Sequence, residues 1–177
     1  MTLQRIAANA EETGLRFLVI GGYAVMAHGF VRATADLDLL IQGSRREQWR
    51  ELLEKCGMVL HRKANSFLQF EPPPTGRLPI DLMCVSDEVF EKMRASSEQT
   101  SLEGASLAVV SLPHLVALKC HAIQYGPSMR KIKDTEDLIQ LIRINRLDLN
   151  EPELRAIILK HGRDELLEKL RRASAGE

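Results

Sequence analysis

The stretch VIGGYAVMAHGFVRATADLDLLI, residues 19–41, sets a glycine pair behind one apolar run and places Asp36 and Asp38 inside a second. In an extended strand side chains alternate, so Asp36 and Asp38 share one face while Leu37 and Leu39 take the other. Two carboxylates side by side repel unless a cation, a cluster of donors or a raised pKa relieves them. A divalent ion is the most direct remedy, because hard cations such as Mg²⁺ take carboxylate oxygens and keep positions open for phosphate oxygens. Taken alone, Asp-x-Asp reads more simply as the solvated face of an edge strand. Gly21 and Gly22 add a second signal. They stand between a strand and a helix, where bare backbone N–H groups and the positive helix end favour phosphate.

Working outward, LRFLVI (residues 15–20) reads as a buried strand, preceded by a helix with Leu3, Ile6, Ala7 and Ala10 on one face and Gly14 at its end. YAVMAH reads as a helix closed by Gly29, with His28 near its negative end. After the strand DLDLLI, Ser44 suits the N-cap of RREQWRELLEKC, whose Trp49, Leu52, Leu53 and Cys56 form an apolar stripe ended by Gly57. Short strands follow in MVLHR, SFLQF and LPIDLMCV, the last two separated by the turn-rich EPPPTG. DEVFEKMRA reads as a helix and SLEGASLAVV as a hairpin turning at Gly104. Beyond Pro113 the pattern is helical throughout: HLVALKCHAIQY, KIKDTEDLIQLIRI, EPELRAIILKHG and RDELLEKLRRA. Pro152 suits the first helical position, with Asn150 in reach as its cap. The organisation expected is an α/β core over 1–111 and an α-helical region over 112–177.

Composition narrows the function classes. The 177 residues are 45% hydrophobic, enough for a real core in one domain or a compact two-lobed unit. Lys plus Arg equals Asp plus Glu at 24 each, so no chain-wide field exists to hold long nucleic acid non-specifically. Cys56, Cys84 and Cys120 lie far apart in apolar settings, which suits reduced core thiols rather than a zinc cluster. The N-terminus has no signal-peptide pattern and no apolar run reaches the roughly 20 residues of a membrane helix, so a cytoplasmic protein without membrane partners is expected.

A third carboxylate carries the argument further. Asp81 lies in LPIDLMCV between Ile80 and Leu82, and therefore faces away from both on its strand. If that strand neighbours DLDLLI, three carboxylates converge beside a phosphate-binding turn.

An apolar strand, a glycine pair, a helix, Asp-x-Asp and a later acidic residue in an apolar strand together resemble the nucleotidyltransferases of the DNA polymerase β-like superfamily. With His28, Gly29, Arg32 and Thr34 ahead of the aspartates, the string is similar to the small bacterial AbiEii-like, abortive-infection toxin branch. Lys119 in LVALKCHA, and Arg130, Lys133, Asp134 and Asp137 in RKIKDTEDL, resemble that branch's later basic and Lys-Asp motifs, so the likeness spans about residues 17–141. Where many members carry serine this chain has Gly22, leaving phosphate to the backbone.

The resemblance implies an α/β (α+β) fold: a small mixed, mostly antiparallel sheet flanked by helices, then a C-terminal helical bundle. It implies that Asp36, Asp38 and Asp81 are catalytic and hold two Mg²⁺ ions, with Mn²⁺ an alternative. Gly21, Gly22, Arg32, Lys119, Arg130 and Lys133 would bind the nucleoside triphosphate, and Thr34, Asp134 and Asp137 would support them. Asp134 and Asp137, three residues apart on one helical face, are also placed by local rules in a first turn, where they favour the dipole. Arg130, Lys131 and Lys133 are otherwise a solvated charge run. The reaction implied is transfer of a nucleoside monophosphate from an NTP to a hydroxyl on tRNA, a protein or a small molecule, with a cognate antitoxin as partner. The same residues fit two other readings: a non-catalytic nucleotide-binding or regulatory module, and a metal-dependent phosphohydrolase. The hydrolase alone does not explain the glycine turn.

Overall fold

A computed structural model describes residues 3–74, 78–102 and 104–175. Thr75 and Gly76 of the turn-rich EPPPTG, and Glu103 of the hairpin, lie outside the described residues. The chain divides into two units, Met1–Ala27 with Arg32–Ser111, and His28–Val31 with Leu112–Glu177.

The first unit runs α1 (Leu3–Glu12), β1 (Phe17–Val19), α2 (Gly21–Ala27), β2 (Leu37–Gln42), a 3₁₀ turn (Gly43–Arg45), α3 (Arg46–Lys55), β3 (Val59–Ala64), β4 (Phe67–Glu71), β5 (Ile80–Val85), α4 (Asp87–Ala95), β6 (Glu98–Leu102) and β7 (Ala105–Val109). Its strands form one sheet in the order β3-β4-β5-β2-β1-β7-β6. The β2–β5 and β1–β7 pairs are parallel, and the other four are antiparallel. This is the mixed, mostly antiparallel sheet with flanking helices that the family resemblance implies.

Central placement explains the burial of β2, all six residues of which are shielded from solvent. Leu39, Leu40 and Ile41 are fully buried, as are Trp49, Leu53, Phe70, Leu82 and Phe90 from the surrounding elements. Trp49 meets Phe17 edge-to-face at 5.6 Å, a geometry that aligns the positive ring edge with the negative face. Each such side chain contributes roughly 1.5–3 kcal/mol by leaving water. α4 is stabilised locally as well: Ser86 Oγ accepts the Val89 N–H, Asp87 and Glu88 lie in the first turn, and Lys92 and Arg94 in the last.

Two expected caps are different in the structure. Ser44 does not cap α3, because the chain first makes the 3₁₀ turn and Ser44 Oγ instead donates to Asp87 Oδ2 at 2.6 Å. Asn150 does not cap the helix that opens at Pro152. Glu151 accepts the N–H groups of Glu153 and Leu154, at 3.2 and 2.8 Å, while Asn150 Oδ1 accepts from Arg171.

The second unit contains α5 (Leu112–Tyr125), α6 (Ser128–Ile144) and α7 (Pro152–Ala175). Val116, Cys120, Leu138, Ile142, Ile158 and Leu170 belong to its apolar core. α7 is broken at Arg163, with φ 67, at the junction where the sequence separates KHG from RDELL. Gly162 next to it is closely packed: a Cβ there would lie 2.4 Å from Leu166 Cδ2, which would have to move, and 3.4 Å from Cys120 Cβ. Among the described residues no helix is long and apolar enough to cross a membrane.

Candidate active site

Strand register assembles the site in the first unit. Parallel pairing of β2 with β5 sets Asp38 opposite Asp81, and antiparallel pairing of β5 with β4 sets Asp81 opposite Gln69. Residues opposite one another in a sheet share a face, so Gln69, Asp81 and Asp38 form one row across three strands. Asp36 stands just ahead of β2. Asp36, Asp38 and Asp81 each offer a carboxylate oxygen, and the three oxygens lie within 4.8 Å of one another. Asp38 is buried, and Asp36 and Asp81 are partly so.

Three negative charges this close are costly. At an effective dielectric near 20 each pair at this separation repels by about 3 kcal/mol, more than one ordinary hydrogen bond returns. Donors relieve part of it: Thr34 Oγ1 donates to Asp36 Oδ1 at 3.1 Å, and Gln69 Nε2 to Asp81 Oδ2 at 2.9 Å. An all-oxygen set of clustered carboxylates is the donor chemistry that Mg²⁺ and Mn²⁺ take, so the residues fit a hard divalent ion.

The glycine pair is part of the same construction. Gly21 has φ 61, a left-handed conformation that glycine adopts without a Cβ penalty. A Cβ on Gly21 would fall 1.8 Å from Asp38 Oδ2, so the carboxylate occupies side-chain space that only glycine leaves open. A Cβ on Gly22 would fall 2.3 Å from Thr34 Oγ1 and 3.3 Å from Arg32 Nη1. Thr34 and Arg32 therefore lie against Gly22, and the backbone bond Ile20 N–H to Asp38 O, 3.0 Å, ties the turn to β2.

The remaining candidates belong to the second unit. Lys119 Nζ is buried and donates to Asp134 Oδ1 and Asp137 Oδ2, both at 2.6 Å, with both aspartates buried. Asp134 and Asp137 are not in a first turn: α6 begins at Ser128, so both lie in the helix interior and face Lys119. Arg130, exposed, has Nε 3.5 Å from Asp134 Oδ2, and Lys133 is exposed. Gln69 belongs to no motif in the sequence. Its only signal is the alternation of SFLQF, which becomes informative once β4 is registered on β5.

A mixed seven-stranded sheet carrying these carboxylates beside a glycine turn is the architecture of a nucleotidyltransferase, and solved structures of that class share the fold. The antibiotic-resistance factor ANT(2'')-Ia is 18% identical, with TM-score 0.64 over 95% of this chain and 94% of that one. An antigenic nucleotidyltransferase-like protein from Paracoccidioides brasiliensis is 17% identical, with TM-score 0.59 over 96% and 90%. The lincosamide antibiotic adenylyltransferase LnuA, bound to lincomycin, is 12% identical, with TM-score 0.50 over 94% of each chain. At these identities the likeness establishes fold. Residues 3–177 match the family described as nucleotidyl transferase AbiEii toxin, type IV TA system. The chain belongs to this AbiEii family and is a nucleotidyltransferase. No curated protein matches it.

Proposed function

We propose that the chain transfers a nucleoside monophosphate from an NTP to a hydroxyl group, with Asp36, Asp38 and Asp81 holding two Mg²⁺ ions. The observation that carries this reading is the approach of the three carboxylate oxygens to within 4.8 Å, against a glycine turn whose missing side chains make room for Asp38 and Thr34. Bound there, divalent ions supply charge neutralisation for the triphosphate and for the attacking and leaving oxygens of an in-line displacement.

The residues have separable tasks in this reading. Gly21 and Gly22 present backbone to the triphosphate, and Arg32, against Gly22, offsets its charge. Arg130 and Lys133, exposed on α6, are the further cations assigned to substrate phosphates. Lys119, committed to Asp134 and Asp137, joins α5 to α6. The acceptor oxygen attacks the α-phosphorus, the bond to the bridging oxygen breaks, pyrophosphate leaves, and Asp81 takes the acceptor's proton. The adenylylated product named with ANT(2'')-Ia, adenylyl-2''-tobramycin, supports nucleotidyl transfer as the chemistry of this fold. The family description supports the toxin half of a toxin–antitoxin pair; in this reading the chain acts in the cytoplasm, and its acceptor is a tRNA, a protein or a small molecule.

The test incubates the protein with each α-labelled NTP, Mg²⁺ and, in separate arms, total tRNA, cell protein or a small-molecule fraction. Label should move to one arm and fall at least about 100-fold in Asp36→Ala and Asp38→Ala, the scale of losing charge stabilisation in the transition state. No transfer, together with no metal-dependent NTP binding by the wild type, overturns the reading.

A further inference from the structure

Gln69 is a half-buried amide on β4, on the strand face it shares with Phe67, while Leu68 and Phe70 are buried on the other. Its place in the sheet is not that of a generic surface polar group. Register sets it directly opposite Asp81, and Asp81 directly opposite Asp38. Nε2 reaches across the roughly 4.8 Å between neighbouring strands and donates to Asp81 Oδ2 at 2.9 Å.

The chemistry of this contact is one-sided. A carboxylate only accepts, so the Gln69 amide must present its nitrogen, which fixes its orientation. In turn the donor pins Oδ2 and sets the rotation of the carboxylate about its bond to Cβ. Asp38 is buried and packed against Gly21, whereas Asp81 is only partly buried at the side of the cluster facing β4. Carboxylates that ligate metal are commonly held by such outer hydrogen bonds, and losing one costs about 10–100-fold in metal affinity.

Resting on the reading of the carboxylates given above, we propose that Gln69 is a positioning residue for Asp81, which orients that carboxylate toward a divalent ion shared with Asp36 and Asp38. Gln69 touches neither nucleotide nor acceptor in this assignment and acts through Asp81 alone. A short polar residue at position 69 does not substitute, because it cannot span the interstrand gap. Leucine keeps most of the side-chain volume, ends one atom short of Nε2 and loses the donor.

The experiment measures Mn²⁺ binding by calorimetry on the full chain, wild type and Gln69→Leu, with far-UV circular dichroism to show that the variant is folded. The variant should bind Mn²⁺ about 10-fold more weakly. Its Mg²⁺ requirement for transfer should rise by a similar factor, with kcat restored at saturating Mg²⁺, a rescue that a packing defect would not show. In an Asp81→Asn background Gln69→Leu should change Mn²⁺ affinity less than 2-fold. If leucine prevents folding, Gln69→Thr carries the same expectations. Wild-type binding with unchanged affinity in the folded variant overturns the inference alone, as does an undiminished effect in the Asp81→Asn background. No Mn²⁺ binding by the wild type overturns the reading of the carboxylates and this inference with it.

Discussion

The carboxylate of Asp38 fills the space in front of Gly21: a Cβ on that glycine would fall 1.8 Å from Oδ2 and 2.4 Å from Cγ. Gly21→Ala therefore combines a displaced carboxylate with a non-glycine residue at φ 61, a strain of about 1–3 kcal/mol. Urea unfolding should show that loss of stability, and label transfer should fall as steeply as in Asp38→Ala. Wild-type stability and turnover in Gly21→Ala would contradict this account of the turn.

Gly22 and Thr34 are coupled in the same way. A Cβ on Gly22 would lie 2.3 Å from Thr34 Oγ1 and 2.7 Å from its Cβ, so Gly22→Ala must push Thr34 away from Asp36. Gly22→Ala should be destabilising alone and largely relieved in Gly22→Ala/Thr34→Gly. A double-mutant cycle should give a coupling of about 0.5–3 kcal/mol. Additive effects would show that the two residues do not share this space.

Lys119 holds two buried carboxylates together. Lys119→Met leaves Asp134 and Asp137 buried and adjacent without the ammonium that joins them, which should cost about 3–5 kcal/mol in urea unfolding. Adding Asp134→Asn and Asp137→Asn should recover most of that loss, since neutral groups no longer require the ammonium. A Lys119→Met variant within about 0.5 kcal/mol of wild type, the scatter of an ordinary surface substitution, would contradict a structural role for the cluster.

Burial pushes the Cys120 thiol up from its ordinary value of 9.0 to about 12. Below pH 9.0 both folded and unfolded chains keep the proton, so the thiol adds no pH dependence. Between 9.0 and about 12 the unfolded chain releases it while the folded chain retains it, so stability falls as pH rises. Unfolding measured from pH 8 to about 10.5 should show a shallower decline in Cys120→Ala than in the wild type. Equal slopes would contradict burial of the thiol as the cause.

Local rules made much of this molecule legible. The apolar, β-branched and aromatic run of LRFLVI and the acidic residues set between apolar neighbours in DLDLLI and LPIDLMCV mark three strands of one sheet, and DEVFEKMRA coincides with α4 because its cap, dipole charges and apolar spacing agree. The family resemblance was legible from the glycine-to-aspartate segment. What sequence could not provide was partnership at a distance. Ser44 fits an N-cap by local criteria, yet Asp87, 43 residues away, takes its hydroxyl. Asp134 and Asp137 satisfy the rule for a first turn, but their surroundings are set by Lys119 on another helix. Gln69 acquires meaning only from the register of β4 on β5, which depends on the packing of both faces of the sheet. Both faces of β2 are buried, beyond the single inward leucine face that its alternation suggests, because strands lie on either side of it and helices cover it.

In the proposed function Asp36, Asp38 and Asp81 form one metal site. Crystals grown with Mn²⁺ and a non-hydrolysable NTP, measured at the manganese absorption edge, test it most directly. Anomalous density should appear bonded to oxygens of all three carboxylates and to the triphosphate. Manganese bound elsewhere, or nucleotide bound with no metal at Asp81, would contradict it.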